Sequence, residues 1–198
     1  MSRARTVSMG NARSSNKARK HDRYMTPPEA IEALIQCAYI PSPVWEPCCG
    51  TGNIVRVLRD YRFKAVASDL VEHGKDFLRT TRKPRDVEAI VTNPPYKLAA
   101  QFVRHALALD VRYVAMLLRL NFIEGTTRAD ILEKLSRIYV FANRLPPMHR
   151  EGWRGKRVTT TTTAYAWFVW DKAHRGPTII QRIRWAVDIQ EIMQEAAE

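Results

Sequence analysis

The run Ala89-Ile90-Val91-Thr92-Asn93-Pro94-Pro95-Tyr96 is the stretch on which the fold turns. Its first four residues read as the end of a buried strand that begins near Asp86. The following run, Leu98 to Leu109, has helical spacing, with Phe102, Val103, Ala106 and Leu109 on one face. A polar amide, two prolines and an aromatic therefore stand where a strand ends and the chain must turn. Proline lacks an N–H and has a fixed φ, and the residue before it is pushed to extended geometry. Asn93-Pro94-Pro95 is thus a stiff shelf that leaves the Pro94 carbonyl and the Asn93 amide to face a ligand. Tyr96 can lie across that ligand as a flat wall. Ligands of open α/β sheets bind outside the carboxyl ends of the strands. A proline-rich loop is the plain alternative. With proline near ~5% of residues, such a string arises by accident in roughly one chain in several hundred of this length.

Upstream, the same alternation recurs. Tyr24-Met25-Thr26-Pro27-Pro28-Glu29 predicts a helix start, with Thr26 as N-cap, Pro27 in the first turn and Glu29 completing a capping box. The helix is expected to run to about Tyr39. Pro43-Val44-Trp45-Glu46-Pro47 reads as a short buried strand. It leads through Cys48-Cys49-Gly50-Thr51-Gly52-Asn53 into a helix from about Ile54 to Asp60. Strand, Gly-x-Gly, helix is the geometry of phosphate loops in dinucleotide folds, but the third glycine of that fingerprint is missing. Phe63 to Ser68 predicts a second strand ending at Asp69. An acid there can bind the ribose hydroxyls of a nucleoside; an exposed loop aspartate is the alternative. Only 17 residues separate Asp69 from Val87, so a third strand and its helix must be short or degenerate.

Downstream, Tyr113 to Leu118 is a continuous apolar run, a central strand. A helix over Thr127–Leu135, an edge-type strand over Ile138–Phe141, a strand over Tyr165–Trp170 and a final helix from about Arg182 to Ala197 complete the reading. Alternating strands and helices predict an α/β fold with a mainly parallel central sheet, helices on both faces and an antiparallel edge strand. Residues 23–198 are expected to form one domain.

Of 198 residues, 32 are Lys or Arg and 20 Asp or Glu, a formal net charge of +12. Residues 1–23 hold seven basic residues against Asp22 alone, and residues 143–157 hold five against Glu151 alone. Clustering of this kind suits a polyanionic partner. Residues 1–22 have too few large apolar side chains to offset ordering entropy and are read as a disordered basic arm. In the second cluster Arg144, Arg150, Arg154, Lys156 and Arg157 are candidates for backbone phosphates and Trp153 for stacking on a base; a solvated loop is the alternative. Cys37, Cys48 and Cys49 form a poor disulfide framework and a weak metal site, which points to a reducing, cytoplasmic compartment. No run is long and apolar enough for a membrane span, and the N-terminus lacks the apolar segment of a secretory signal.

Four of these elements, taken in order, carry a resemblance. Tyr24-x-Thr26-Pro27 resembles motif X of the amino-methyltransferases. Glu46-Pro47-x-x-Gly50-x-Gly52-Asn53 resembles motif I, and Asn93-Pro94-Pro95-Tyr96 resembles motif IV. Asp76-Phe77 is similar to the pair that holds the cofactor's adenine in the DNA adenine methyltransferases. The resemblance spans Tyr24 to about Trp170 and fits the small N6-adenine DNA methyltransferases of phage and bacterial type.

The family implies a Rossmann-like fold and S-adenosyl-L-methionine (SAM) as cofactor, with S-adenosyl-L-homocysteine as product. Tyr24, Thr26 and Pro27 would fold over the methionine moiety. Gly50, Gly52 and their neighbours Cys48 and Asn53 would approach it by backbone, and Glu46 would offset its amino group. Asp69 would take the ribose, Asp76 and Phe77 the adenine. Asn93 and Pro94 would accept both hydrogens of the target amine, while Pro95 stiffens the shelf and Tyr96 stacks on a base flipped out of DNA. RNA base and protein glutamine methyltransferases share the Asn-Pro-Pro-Tyr string, and a nucleic-acid-binding module on a decayed core is a further alternative. No separate target-recognition domain is apparent.

Overall fold

A strand that is apolar on both faces needs helices on both sides, and the chain supplies them in alternation. The computed structural model describes residues 25–146, 148 and 163–185. Among these the chain runs α1 (Pro28–Cys37), β1 (Val44–Glu46), α2 (Asn53–Asp60), β2 (Ala65–Ala67), α3 (Leu70–His73), β3 (Ala89–Thr92), α4 (Ala99–Ala108), β4 (Tyr113–Arg119), α5 (Ala129–Leu132), β5 (Arg137–Phe141), β6 (Tyr165–Asp171) and β7 (Ile179–Ile183). The basic arm, Tyr24, the loop residues Arg150, Trp153, Arg154, Lys156 and Arg157, threonines 159–162 and residues 186–197 of the expected last helix lie outside the described residues.

The seven strands form one sheet in the order β2-β1-β3-β4-β6-β5-β7. β2, β1, β3 and β4 run parallel, and β6 is antiparallel to both its neighbours. β4 divides the core. Val114, Met116 and Leu118 pack on the side of Phe102, Val103 and Ala106 of α4 and Ile131 of α5. Tyr113, Ala115 and Leu117 pack on the side of Ala30, Ile31 and Leu34 of α1 and Ile54, Val57 and Leu58 of α2. β6 ties both layers to the sheet through two buried indoles. Trp167 Nε1 donates to Ala30 O and Trp170 Nε1 to Ile131 O, each at 2.7 Å. Each bond satisfies a donor that would otherwise be stranded in the core. No helix among the described residues is long and apolar enough to cross a membrane.

Four expectations change. Thr26 does not cap α1: Pro27 holds the N-cap position without any side-chain cap bond, and Pro28 opens the helix. No third strand stands between β2 and β3 among the described residues; the short connection forms a 3-10 turn, Phe77–Arg79, so β2 is the sheet edge. The helix over 127–135 is reduced to Ala129–Leu132 behind a 3-10 turn. Finally, Arg182 and Ile183 belong to strand β7, parallel to β5, rather than to a helix. This added strand moves β5 inside the sheet and places the antiparallel strand β6 two positions from the edge.

Candidate functional site

The strand order reverses between β1 and β3, because the chain leaves β1 for β2 on one side and returns to β3 on the other. The carboxyl ends of strands flanking such a reversal form a crevice. Glu46 closes β1, and Asn93 follows the last residue of β3. A cavity of about 560 Å³ opens there, lined by Thr26, Glu46, Cys48, Gly50, Asn53, Asp69, Asp76, Phe77 and the whole of Asn93-Pro94-Pro95-Tyr96. Its volume falls within the roughly 300–1,000 Å³ of small-molecule sites. Pro27 is buried at the start of α1 and Gly52 stands at the start of α2, each next to a lining residue.

The glycine loop turns from β1 into α2 with Gly50 at φ +48° and Gly52 at φ +83°, both left-handed. A Cβ on either would meet no atom within 4 Å. Backbone conformation, not crowding, therefore demands glycine, and the space is left to a ligand. Gly52→Ala is expected to cost about 1–2 kcal/mol of stability. Thermal unfolding checks this: a melting temperature lower by about 2–8 °C is expected.

Three carboxyl groups hang from this frame. Glu46 is buried, and its Oε2 has no partner among the described residues. Burial pushes its pKa well above the usual carboxylate range; the Val55 backbone N–H opposes the rise, and the nearby Asp69 adds to it. Asp69 caps α3 through Oδ1, which accepts from Val71 N at 2.8 Å and Glu72 N at 3.3 Å. Its Oδ2 accepts from Gly50 N at 3.0 Å, so this side chain also clamps the glycine loop to β2. A carboxylate has about four acceptor sites, which leaves Asp69 room for one more donor. Asp76 caps the 3-10 turn by accepting from Leu78 N at 3.0 Å. The Cys48 thiol is raised well above its ordinary value by burial and then by the Glu46 and Asp69 carboxyls. It therefore stays protonated and inert.

Phe77 is 3% exposed. Phe102 stacks on it with centroids 5.0 Å apart, and Trp45 and His105 meet it in T-shaped contacts at 5.3 and 4.9 Å. The ring is a floor of the cavity already packed on several sides. Phe77→Ala is expected to destabilise the fold by about 3–5 kcal/mol, as for other buried aromatic truncations. A denaturant midpoint near that of the unmodified protein would contradict this packing role.

Asn93 is oriented from two directions. Its Nδ2 donates to Thr26 Oγ1 at 3.1 Å and to Met148 Sδ at 3.5 Å. Its Oδ1 is buried and without a partner among the described residues. Tyr96 O–H donates to the same Met148 Sδ at 3.1 Å. The Tyr96 ring lies 5.7 Å from that of Tyr165, with the Arg119 guanidinium 5.1 Å from its centroid. Arg119 ends β4 and pairs in register with Tyr165, which opens β6. Thus Arg119, Met148 and Tyr165, none of them singled out from the sequence, build the wall around the Asn-Pro-Pro-Tyr shelf. The available signal was positional: Arg119 is the one polar residue at the carboxyl end of the apolar β4. Lys75 and Lys97 line the cavity and are exposed, and Arg119 at the end of β4 and Arg144 after β5 are exposed too. Of the six proposed nucleic-acid contacts only Arg144 is described. Its carbonyl accepts from Trp185 Nε1 at 3.1 Å.

No protein-family model and no curated protein matches the sequence. Solved structures do match. A modification subunit of a putative type I restriction enzyme from Vibrio vulnificus YJ016 aligns with TM-score 0.53 and 15% identity over 81% of this chain. The chain spans 47% of that protein. The type ISP restriction-modification enzyme LlaBIII, solved bound to DNA, aligns with TM-score 0.52 and 12% identity, over 81% of this chain and 19% of that one. A putative hemolysin from Lactococcus lactis aligns with TM-score 0.52 and 10% identity, over 89% and 99%. These similarities establish the class I, Rossmann-like methyltransferase fold, and a fold hosts many functions.

Proposed function

We propose that this chain, a domain of the class I methyltransferase fold, transfers a methyl group from SAM to the exocyclic N6 amino group of adenine in DNA. The observation that carries the reading is the pairing in one cavity of two buried atoms without a partner among the described residues: Glu46 Oε2 on the cofactor side and Asn93 Oδ1 on the acceptor side. The first suits an ammonium group and the second an amine hydrogen. Methyl transfer needs cofactor and target amine bound side by side, with methyl carbon and nitrogen about 3–3.5 Å apart.

Bound SAM supplies an electrophilic methyl on a cationic sulfonium. The chain's own residues do the rest. Glu46 faces the ammonium, and the left-handed turn at Gly50 and Gly52 lets the backbone close on the cofactor. Asp69 uses its remaining acceptor site for a ribose hydroxyl. Asp76 accepts from the adenine amino group, and Phe77 supports the ring. Pro27 and Tyr24 complete the methionine end. On the other side, Asn93 Oδ1 and the Pro94 carbonyl take the two hydrogens of the target amine. An aromatic amine is a poor nucleophile because its lone pair is delocalised into the ring. Two acceptors set off the ring plane localise that pair on nitrogen, and such preorganised dipoles carry the rate. Tyr96 stacks on the flipped base, and the cationic rim with the basic loop and arm holds the phosphate backbone.

The Vibrio protein is named as a modification subunit of a restriction enzyme and LlaBIII was solved bound to DNA, which favours DNA over RNA; the clustered positive charge favours nucleic acid over protein. The test is transfer of labelled methyl from SAM to duplex DNA, single-stranded RNA and a glutamine-containing protein side by side. Label on DNA that salt suppresses steeply is expected. Label only on RNA or protein sinks the DNA assignment, and no label with no SAM binding supports a non-catalytic module.

A further inference from the structure

We infer that Thr26 is a positioning residue for Asn93 rather than a helix cap or only a wall of the cofactor site. The inference rests on the methyl-transfer reading of the site. Thr26 is 6% exposed. Its Oγ1 accepts from Asn93 Nδ2 at 3.1 Å, and its carbonyl oxygen accepts from Asn53 Nδ2 at 3.0 Å. One residue ahead of the first helix therefore holds the amide after β3 and the amide at the head of α2. The two sides of the cavity are joined through it.

The chemistry follows from which end of the Asn93 amide faces which neighbour. Turned over, the amide would set Oδ1 against Met148 Sδ, which has no proton to give, and would bury its N–H donors where no acceptor stands among the described residues. The thioether is a weak acceptor, and Tyr96 O–H already donates to it. Thr26 Oγ1 is the stronger partner and fixes the amide in place, while Met148 Sδ, which only accepts, sets which way round it lies. With Nδ2 so held, Oδ1 is the atom left for the amine. Pro27 makes this possible. Because the N-cap position falls to a residue without a hydroxyl, the Thr26 side chain is released from the helix end and turns into the cavity.

Thr26→Val keeps the branched shape and removes the acceptor. We expect kcat on the DNA substrate to fall roughly ten- to a hundredfold, the cost range of a stranded buried donor. SAM affinity and the KM for DNA are expected to stay within about threefold, since only the reacting step needs the oriented oxygen. Thr26→Ser, which restores the hydroxyl, recovers most of the loss. A second reading needs no turnover: the side-chain NH₂ signals of Asn93 and Asn53 in a nitrogen-15 spectrum. In Thr26→Val the Asn93 pair is expected to shift, while the Asn53 pair, held by a backbone carbonyl, keeps its place and reports that the fold is intact. An unmoved Asn93 pair, or turnover equal to the unmodified protein, overturns the proposal. So does a loss confined to SAM affinity, which would make Thr26 a cofactor contact alone. If the unmodified protein transfers methyl to no substrate, the functional reading fails while the spectra still decide the role of Thr26.

Discussion

Asn93→Ala is expected to lower methyl transfer by about a hundred- to a thousandfold, the cost of removing one preorganised polar group from a reacting centre. Cofactor affinity is expected to change little, because Glu46, Gly50 and Asp69 form the other side of the cavity. The size of the effect comes from Oδ1, which is buried and unpartnered among the described residues. An amine that reaches it gains a hydrogen bond in a site of low solvent exposure. Asn93→Asp is the sharper control. It keeps an oxygen toward the amine but sets a second oxygen against Met148 Sδ, which only accepts. An intermediate loss is expected. Single-turnover rates with saturating SAM and DNA measure both, and a rate for Asn93→Ala within about threefold of the unmodified protein contradicts the mechanism.

Glu46→Gln is expected to weaken cofactor binding by about tenfold or more at alkaline pH, the cost of losing a charged partner for the ammonium. The effect depends on pH because burial raises the carboxyl's pKa in the free protein. The free protein therefore holds this proton above the ordinary carboxylate range, and a cationic ligand makes it leave. Affinity then rises with pH from the ordinary carboxylate range up to the raised pKa and levels beyond it. Stability runs the other way. The folded pKa lies above the unfolded one, so the group's contribution is fully present below the unfolded pKa and is lost as pH rises through the folded value. Glu46→Gln flattens both trends. Calorimetric titrations in buffers of different ionisation heat read proton release directly. Release by the unmodified protein and none by Glu46→Gln is expected; equal release by both would remove Glu46 from the site.

Much of the fold could be read from local pattern, because its decisive elements are local. β1, the glycine turn and α2 are contiguous, and so are β3, the Asn-Pro-Pro shelf and α4. Each carries its own period and its own turn residues. The two-sided burial of β4 was visible as an unbroken apolar run. What escaped was what depends on distance. Thr26 fits a capping box by spacing, but two successive prolines shift the helix start, and its partner Asn93 is 67 residues away. Met148 and Tyr165 carry no signal of their own; Tyr165 meets the shelf because it opens β6, and Met148 because the loop after β5 passes there. Only the end of β7, Arg182 and Ile183, falls within the helix expected from about Arg182, because so short a run suits either period. The third strand was legible only as a length: 17 residues between Asp69 and Val87 leave room for a short or degenerate strand and helix, and the connection forms a 3-10 turn instead.

The central claim is that the cavity delivers a methyl to an adenine amine held on Asn93 and Pro94. The measurement that meets it most directly is mass analysis of nucleosides from duplex DNA treated with the protein and methyl-deuterated SAM. N6-methyl-2′-deoxyadenosine carrying the deuterated methyl, absent with Asn93→Ala, is the predicted result. A labelled methyl on any oxygen or ring carbon, or label on adenine undiminished in Asn93→Ala, would contradict it.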